Sequence, residues 1–346
     1  MAIETIKWEN GKVKLIDQTK LPLSLEYIIC SDVKTLWQAI KMLKVRGAPA
    51  IGIAAAFGVV LGIRNSKAKT FTQFEKDLSR VIKYLASSRP TAVNLFWALE
   101  RMKKVALSHS SHSISRIKKL LYQESVKILS EDKNICRAMG HYGAGLIKDN
   151  DRVLTICNAG ALATGDFGTA LGVFYQAKTE GKKFKVYSSE TRPLLQGARL
   201  TTWELLQEGI DVTLICDNMA ASLMEKGLIG KVFVGADRIA ANGDTANKIG
   251  TYSLAVLAHY HKIPFYVVAP KSSFDLKIKS GRDIPIEERS EDEVVEIYGK
   301  RIAPIGVKVY NPAFDVTPHG LISSIITEKG VVKPVYKTNI RKMLGA

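Results

Sequence analysis

The spacing of apolar positions changes character once along this chain. In the first part, apolar residues recur three and four apart through residues 31–43, 49–63, 71–86, 92–107 and 113–148. That spacing stacks side chains on one helix face and predicts five helices, the first opened by Ser31-Asp32. Short strand-like pieces around 5–8, 12–16 and 26–30 precede them. In the second part, brief apolar runs at 153–156, 185–187, 212–215, 232–234 and 264–269 alternate with helical segments ending near Glu180, Gln207, Leu228 and Tyr260. Strand, crossover helix, strand predicts a parallel, doubly wound sheet. A later helix is predicted with Thr317 as N-cap, Pro318 at its first position and Gly330 past its end. The expected fold is therefore α/β in two domains. Residues 1–145 form a mainly helical N-terminal domain with a small β appendage, and residues 146–346 a Rossmann-like catalytic domain.

Just beyond each predicted strand of the second half, the chain turns polar and ionisable: Cys157-Asn158, Ser188 to Arg192, Cys216-Asp217-Asn218, Asp237-Arg238 and Pro270-Lys271. Plain turns need only Gly, Asn and Ser, so two thiols, two arginines and three carboxylates on one sheet edge predict a site for a small polar molecule. Cys157 and Asp237 are its most informative members. Taken singly, a buried Cys is usually a small hydrophobe, and an Asp after a strand often caps the next helix. Mutual repulsion between Asp217 and Asp237 would raise one carboxyl toward general-acid duty.

Anion-binding candidates are individually weak. Gly160, Gly165 and Gly168 lead toward a helix beginning near Thr169, where free N–H groups would cradle an anion. The run is not GxGxxG, and no GxxxxGK[ST] occurs, which argues against a dinucleotide enzyme or a P-loop NTPase. Asp166-Phe167-Gly168 spells a kinase motif without its companions. Arg46-Gly47-Ala48-Pro49 and Ser88-Arg89-Pro90-Thr91 each precede a helix, and Asn247-Lys248 opens another. Each alone is more often a charged helix start than a phosphate clamp; the three together make the phosphate reading more persuasive.

Composition narrows the class. The chain has 346 residues, is 46% hydrophobic and carries a net charge of +17. Its basic residues are dispersed in pairs such as Lys103-Lys104 and Lys182-Lys183, without a recognition helix or RNA-binding signature, so a Lys-rich surface that steers small anions is favoured over nucleic-acid binding. Four scattered cysteines form neither a disulfide framework nor a zinc ribbon, and reduced thiols in the cytoplasm are the simpler expectation. The six histidines form no HExxH. The start of the chain lacks a secretory pattern. The apolar stretch 48–63 is short for a bilayer and reads as a buried helix, so no membrane association is expected.

Seven segments carry a resemblance: Arg46 to Gly52, Arg89 to Leu95, Thr155 to Gly160, Ser189 to Pro193, Gln196 to Thr201, Gly235 to Ile239 and Asn247 to Tyr252. With Ile16 to Pro22 near the start and Asn311 to Pro318 near the end, they make the chain similar to the methylthioribose-1-phosphate isomerases. The resemblance implies a methionine-salvage enzyme that converts 5-methylthioribose 1-phosphate, an aldose phosphate, to the corresponding ribulose 1-phosphate. It implies Asp237 as proton donor and Cys157 as either base toward carbon 2 or transition-state stabiliser, with a hydride shift as the alternative. It further implies substrate binding by Arg46, Gly47, Ala48, Arg89, Gln196, Asn247 and Lys248, no cofactor, and a homodimer. Ribose-1,5-bisphosphate isomerase and a non-catalytic regulatory subunit of a translation-initiation exchange factor share the pattern in part.

Overall fold

Residues 48–63 are Ala, Gly, Pro and aliphatic residues with one Phe, and the helix they form has no polar face to turn to water. The computed structural model describes residues 3–90 and 92–345; Met1, Ala2, Ala346 and the Thr91 of the Arg89 motif lie outside the described residues. The chain divides into two compact units, Met1–Cys136 with Gly160–Gly168, and Arg137–Ala159 with Thr169–Ala346.

The first unit opens with an antiparallel meander of β1 (Ile6–Glu9), β2 (Lys12–Ile16) and β3 (Tyr27–Cys30). Helices α1 (Val33–Lys41), α2 (Ala48–Ile63), α3 (Phe71–Ala86) and α4 (Val93–Ser108) come next, and then α5 (Ile114–Ala144), whose last residues belong to the second unit. The Asp32 carboxylate accepts from the Thr35 N–H and caps α1, as its position predicts. Helix α2 packs against α1, α3 and α4 and is buried along nearly its whole length. Its glycines admit the neighbours: a methyl at Gly62 would lie 2.5 Å from Val81.

The second unit contains β4 (Arg152–Thr155), α6 (Ala170–Thr179), β5 (Lys185–Ser189), α7 (Thr202–Gln207), β6 (Asp211–Ile215), α8 (Ala220–Glu225), β7 (Lys231–Val234), β8 (Arg238–Ala240), β9 (Thr245–Lys248), α9 (Thr251–Tyr260) and β10 (Phe265–Val268). After these come β11 (Phe274–Asp275), α10 (Asp292–Val295), β12 (Glu296–Ile297), β13 (Lys300–Arg301), β14 (Phe314–Thr317), β15 (Ser324–Thr327), β16 (Gly330–Val332) and α11 (Tyr336–Leu344). The main sheet has the order β16-β15-β10-β7-β4-β5-β6 and is parallel except for the edge strand β16. From β4 the chain winds outward through β5 and β6, then returns to β7 on the other flank of β4 and continues to β10 and β15. The topological switch point therefore lies between β4 and β7. Apolar side chains of these strands, among them Leu154, Val232, Val234, Phe265 and Val267, are buried.

The helix predicted from Thr317 to Gly330 is absent. Thr317 ends β14, residues His319–Leu321 make a single tight turn, and Ser324–Thr327 form β15, with Gly330 opening β16. All four residues of β15 are buried, and a buried strand has no alternation by which to be told from a helix. Strands β8, β9 and β14, which form a second sheet with β11, are likewise not predicted by the local apolar pattern.

Candidate functional site

Cys157 stands two residues past the end of β4, and Asp237 three past the end of its neighbour β7. Ligands of doubly wound sheets bind outside the carboxyl ends of strands at such a switch point. Side-chain contacts draw the loops together there. A methyl at Gly235 would lie 3.2 Å from Ala159 Cβ, 3.6 Å from Thr169 Oγ1 and 4.0 Å from Asn247 Oδ1, so the segments after β4 and β7 and the end of β9 converge. The Asp237 N–H donates to Ala246 O (2.9 Å), which ties the aspartate to the strand that carries Asn247 and Lys248. Cys157 is half-buried and Asp237 exposed.

The backbone of Cys157 is left-handed, with φ of 63°. That region costs an L-residue roughly 1–2 kcal/mol, so its surroundings must hold it there. Its N–H donates to Thr191 Oγ1 (2.8 Å), and its carbonyl accepts from Thr201 Oγ1 (2.6 Å). The next side chain, Asn158, is buried and donates to Glu204 Oε1 (2.6 Å); the other Glu204 oxygen accepts from the Tyr175 hydroxyl (2.8 Å). Burial and the adjacent Glu204 carboxylate hold the Tyr175 hydroxyl well above the ordinary phenol value, so it stays a donor.

Gln196 leads into a π-helical turn, Gly197–Thr201, at the end of β5. A methyl at Gly197 would lie 1.7 Å from the Ser189 carbonyl oxygen, so glycine is required where the turn meets the strand end. Gln196 is buried, and its Oε1 has no hydrogen-bond partner among the described residues. A buried acceptor in that state awaits a donor.

Asn247 donates to Thr251 Oγ1 (3.0 Å) at the start of α9. Lys248 donates to Ala313 O (2.9 Å), with its ammonium 4.8 Å from the Phe314 ring centre. The N-terminus of α9, expected to be open to an anion, is instead capped by Asp315, whose carboxylate accepts from Gly250 N–H (2.7 Å) and Tyr252 N–H (3.1 Å). Burial pushes the Asp315 carboxyl up to about 6, against the pull of those amides and of Lys248.

Other rim residues serve the fold. Asp217 accepts from Ser189 Oγ, Thr191 N–H and Arg192 N–H and braces that loop. Arg192 donates to Pro193 O and Val294 O, and Arg238 pairs with Asp275 at 3.7 Å. The Gly-rich loop is also committed. Gly165 N–H donates to Asp132, Gly168 N–H to Thr164 Oγ1, and Thr169 and Leu171 N–H to Ala159 O. An anion cradle on those amides is therefore not formed.

In the first unit, Gly47 and Ala48 begin α2, directly after Arg46. Gly47 has φ of 91°, and a methyl there would lie 2.4 Å from the Ala163 backbone, so packing alone demands this glycine. Arg89 lies just ahead of α4, its carbonyl accepting from Ala92 N–H (3.1 Å). The N-cap residues of α2 and α4, Gly47 and Ala92, supply no side-chain cap themselves. First-turn N–H groups there face outward from the helix ends, with an arginine preceding each. No cluster of three or more His, Cys, Asp or Glu side chains suited to a metal occurs among the described residues.

The profile of the Initiation factor 2 subunit family matches residues 44–334. A methylthioribose-1-phosphate isomerase of Geotalea uraniireducens is 55% identical over 345 residues, covering 100% of both chains. A 5-deoxyribose 1-phosphate isomerase of Moorella thermoacetica is 54% identical over 99% of this chain and 98% of its own. Among solved structures, the 5-methylthioribose 1-phosphate isomerase of Pyrococcus horikoshii superposes with TM-score 0.93 at 50% identity, covering 99% of this chain and 96% of that one. A structure from A. fulgidus, named as translation initiation factor eIF-2B, subunit delta, superposes with TM-score 0.91 at 49% identity over 100% of both chains.

Proposed function

The chain belongs to the Initiation factor 2 subunit family, and on that premise we propose that it is an aldose–ketose isomerase converting 5-methylthio-α-D-ribose 1-phosphate to 5-methylthio-D-ribulose 1-phosphate in methionine salvage. The observation that carries this reading is the pairing of a thiol and a carboxylate past two adjacent strands at the switch point of a parallel sheet. The substrate explains why both are needed. Phosphate on its anomeric oxygen blocks the ring opening open to a free sugar, so an acid must protonate the ring oxygen as its bond to carbon 1 breaks. We assign that proton to Asp237. Cys157, as thiolate, then takes the proton from carbon 2 and delivers one to carbon 1 of the resulting enol, while the carbon 2 hydroxyl returns its proton to the Asp237 carboxylate and becomes the ketone; if hydride instead moves from carbon 2 to carbon 1, Cys157 stabilises the transition state. Deuterium at carbon 1 of product formed in heavy water separates proton transfer from hydride shift.

The phosphate is assigned to Arg46, Arg89 and Lys248, with the backbone at Gly47 and Ala48; the position of Arg46 directly before the start of α2, and of Arg89 just ahead of α4, supports this part. Gln196 and Asn247 are assigned to sugar hydroxyls, supported by the unpartnered Gln196 Oε1. No cofactor is assigned. A homodimer is assigned on the family resemblance and a cytoplasmic location on the scattered, unpaired cysteines, and sedimentation of the purified chain tests the dimer.

The decisive experiment is turnover of 5-methylthioribose 1-phosphate beside ribose 1,5-bisphosphate, for wild type, Cys157→Ala and Asp237→Asn. The expected result is preference for the first substrate and a loss of about 10²–10⁴-fold or more in each folded variant. Turnover of neither substrate would put the binding-protein reading, suggested by the name of the A. fulgidus structure, in front. The name of the Moorella relative adds 5-deoxyribose 1-phosphate to the assay. Loss of a small apolar group lowers kcat/KM by about 10–200-fold, so slower turnover of that substrate is expected.

A further inference from the structure

Both backbone polar groups of Cys157 are bound by threonine hydroxyls that are fully buried, Thr191 on the N–H and Thr201 on the carbonyl. A hydroxyl has one proton, so the direction of each bond is fixed. Thr191 gives its proton to Ser189 O (3.0 Å) and must accept from Cys157. Thr201 gives its proton to the Cys157 carbonyl and must accept from Asn158 Nδ2 (3.3 Å). The second Asn158 amide hydrogen goes to Glu204, which is held in turn by the Tyr175 hydroxyl. A single ordered chain thus runs from Tyr175 through Glu204, Asn158 and Thr201 to the peptide carbonyl of Cys157. Its four side chains are all buried, away from solvent that would let them reorient.

We propose that Thr191 and Thr201 are positioning residues of the isomerase: together they clamp residue 157 in the left-handed conformation and so aim its Sγ at the sugar, with Asn158, Glu204 and Tyr175 fixing the direction of the Thr201 hydroxyl. The proposal rests on the reading of Cys157 as the reacting thiol. Without the clamp, residue 157 relaxes to an ordinary φ, and the Sγ swings away while the phosphate contacts stay.

The test uses full-length Thr191→Val and Thr201→Val, which keep shape and lose the hydroxyl, with Thr191→Ser and Thr201→Ser as rescue and Cys157→Ala as reference. For each, kcat and KM for 5-methylthioribose 1-phosphate, the thermal midpoint, and the iodoacetamide alkylation rate of the Cys157 peptide by mass spectrometry are measured. Misplacing a reacting group by about 1 Å costs about 10²-fold, so each valine variant is expected to lose about 10–100-fold in kcat at nearly constant KM, with an altered Cys157 alkylation rate. The serine variants should recover most of that loss, which a merely structural role would not produce. Folded valine variants with wild-type kcat, alongside an inactive Cys157→Ala, overturn this proposal and leave the catalytic reading standing. An active Cys157→Ala overturns both. If a valine variant fails to fold, Tyr175→Phe decides: a kcat reduced about threefold or more at constant KM supports the relay, and an unchanged kcat overturns it.

Discussion

Holding Cys157 left-handed costs roughly 1–2 kcal/mol, and two threonine hydrogen bonds, each worth about 1 kcal/mol net, offset it. The same logic of enforced backbone applies at Gly197, where the turn bearing Gln196 presses on the end of β5. Gly197→Ala would set a methyl 1.7 Å from a backbone oxygen that has no flexible end to move. It is expected to destabilise by about 3 kcal/mol, the upper part of the overpacking range, read as a fall in urea midpoint. Tyr175→Phe removes the hydroxyl that serves a buried carboxylate and should cost about 1.5–3 kcal/mol by the same measurement. Legibility at this scale was uneven. Cys157 and Asp237 could be singled out because each comes just after an apolar run. Gln196 gained its role from resemblance, since no spacing marks a buried amide as a ligand, whereas Lys248 stood out as one of three basic residues at helix starts. The Tyr175–Glu204 contact joins residues 29 apart on different helices, a separation that no local spacing reveals.

Among the elements, α9 and β14 act as a pair. Asp315 on β14 caps α9 and lies in register with Asn247 on β9, so one carboxylate ties the helix start to the strand assigned to the substrate. Burial raises this carboxyl from its ordinary value of 3.8 to about 6. The folded state therefore holds the proton more tightly than the unfolded chain does. The resulting contribution to stability is full below about pH 4 and is lost as pH rises through about 6. In urea unfolding from about pH 4 to about pH 7.5, wild type relative to Asp315→Asn should lose stability across that window and level off above it. A difference that grew with pH would contradict this assignment. The elements also mark where pattern reading fails. Pro318 and Gly330 punctuate like helix ends, yet Ser324–Thr327 is a strand buried between β10 and β16. A run hidden on both faces has no period, and its strand partner β10 lies far away in sequence.

For the whole molecule, the surplus of 50 basic over 33 acidic residues sets a long-range field. Steering of a doubly charged phosphate should make kcat/KM fall severalfold as ionic strength rises from about 0.01 to about 0.15 M, where the screening length drops to about 8 Å. A flat salt dependence would leave the charge without a role in substrate capture. The chain by itself determined the α/β class, the buried helix α2, the five strands from β4 to β10 that it predicted in the main sheet, and the placement of Cys157 and Asp237 just past two of those strands. Those features rest on local periodicity and on the residues just past each strand, and both are written in consecutive positions. Tertiary structure decided the strand order that makes β4 and β7 neighbours, the commitment of Asp217 and the Gly-rich loop to structural bonds, and the threonine clamp on Cys157. Each of these depends on groups brought together from distant parts of the chain, where burial and hydrogen-bond geometry, rather than sequence spacing, select the partner.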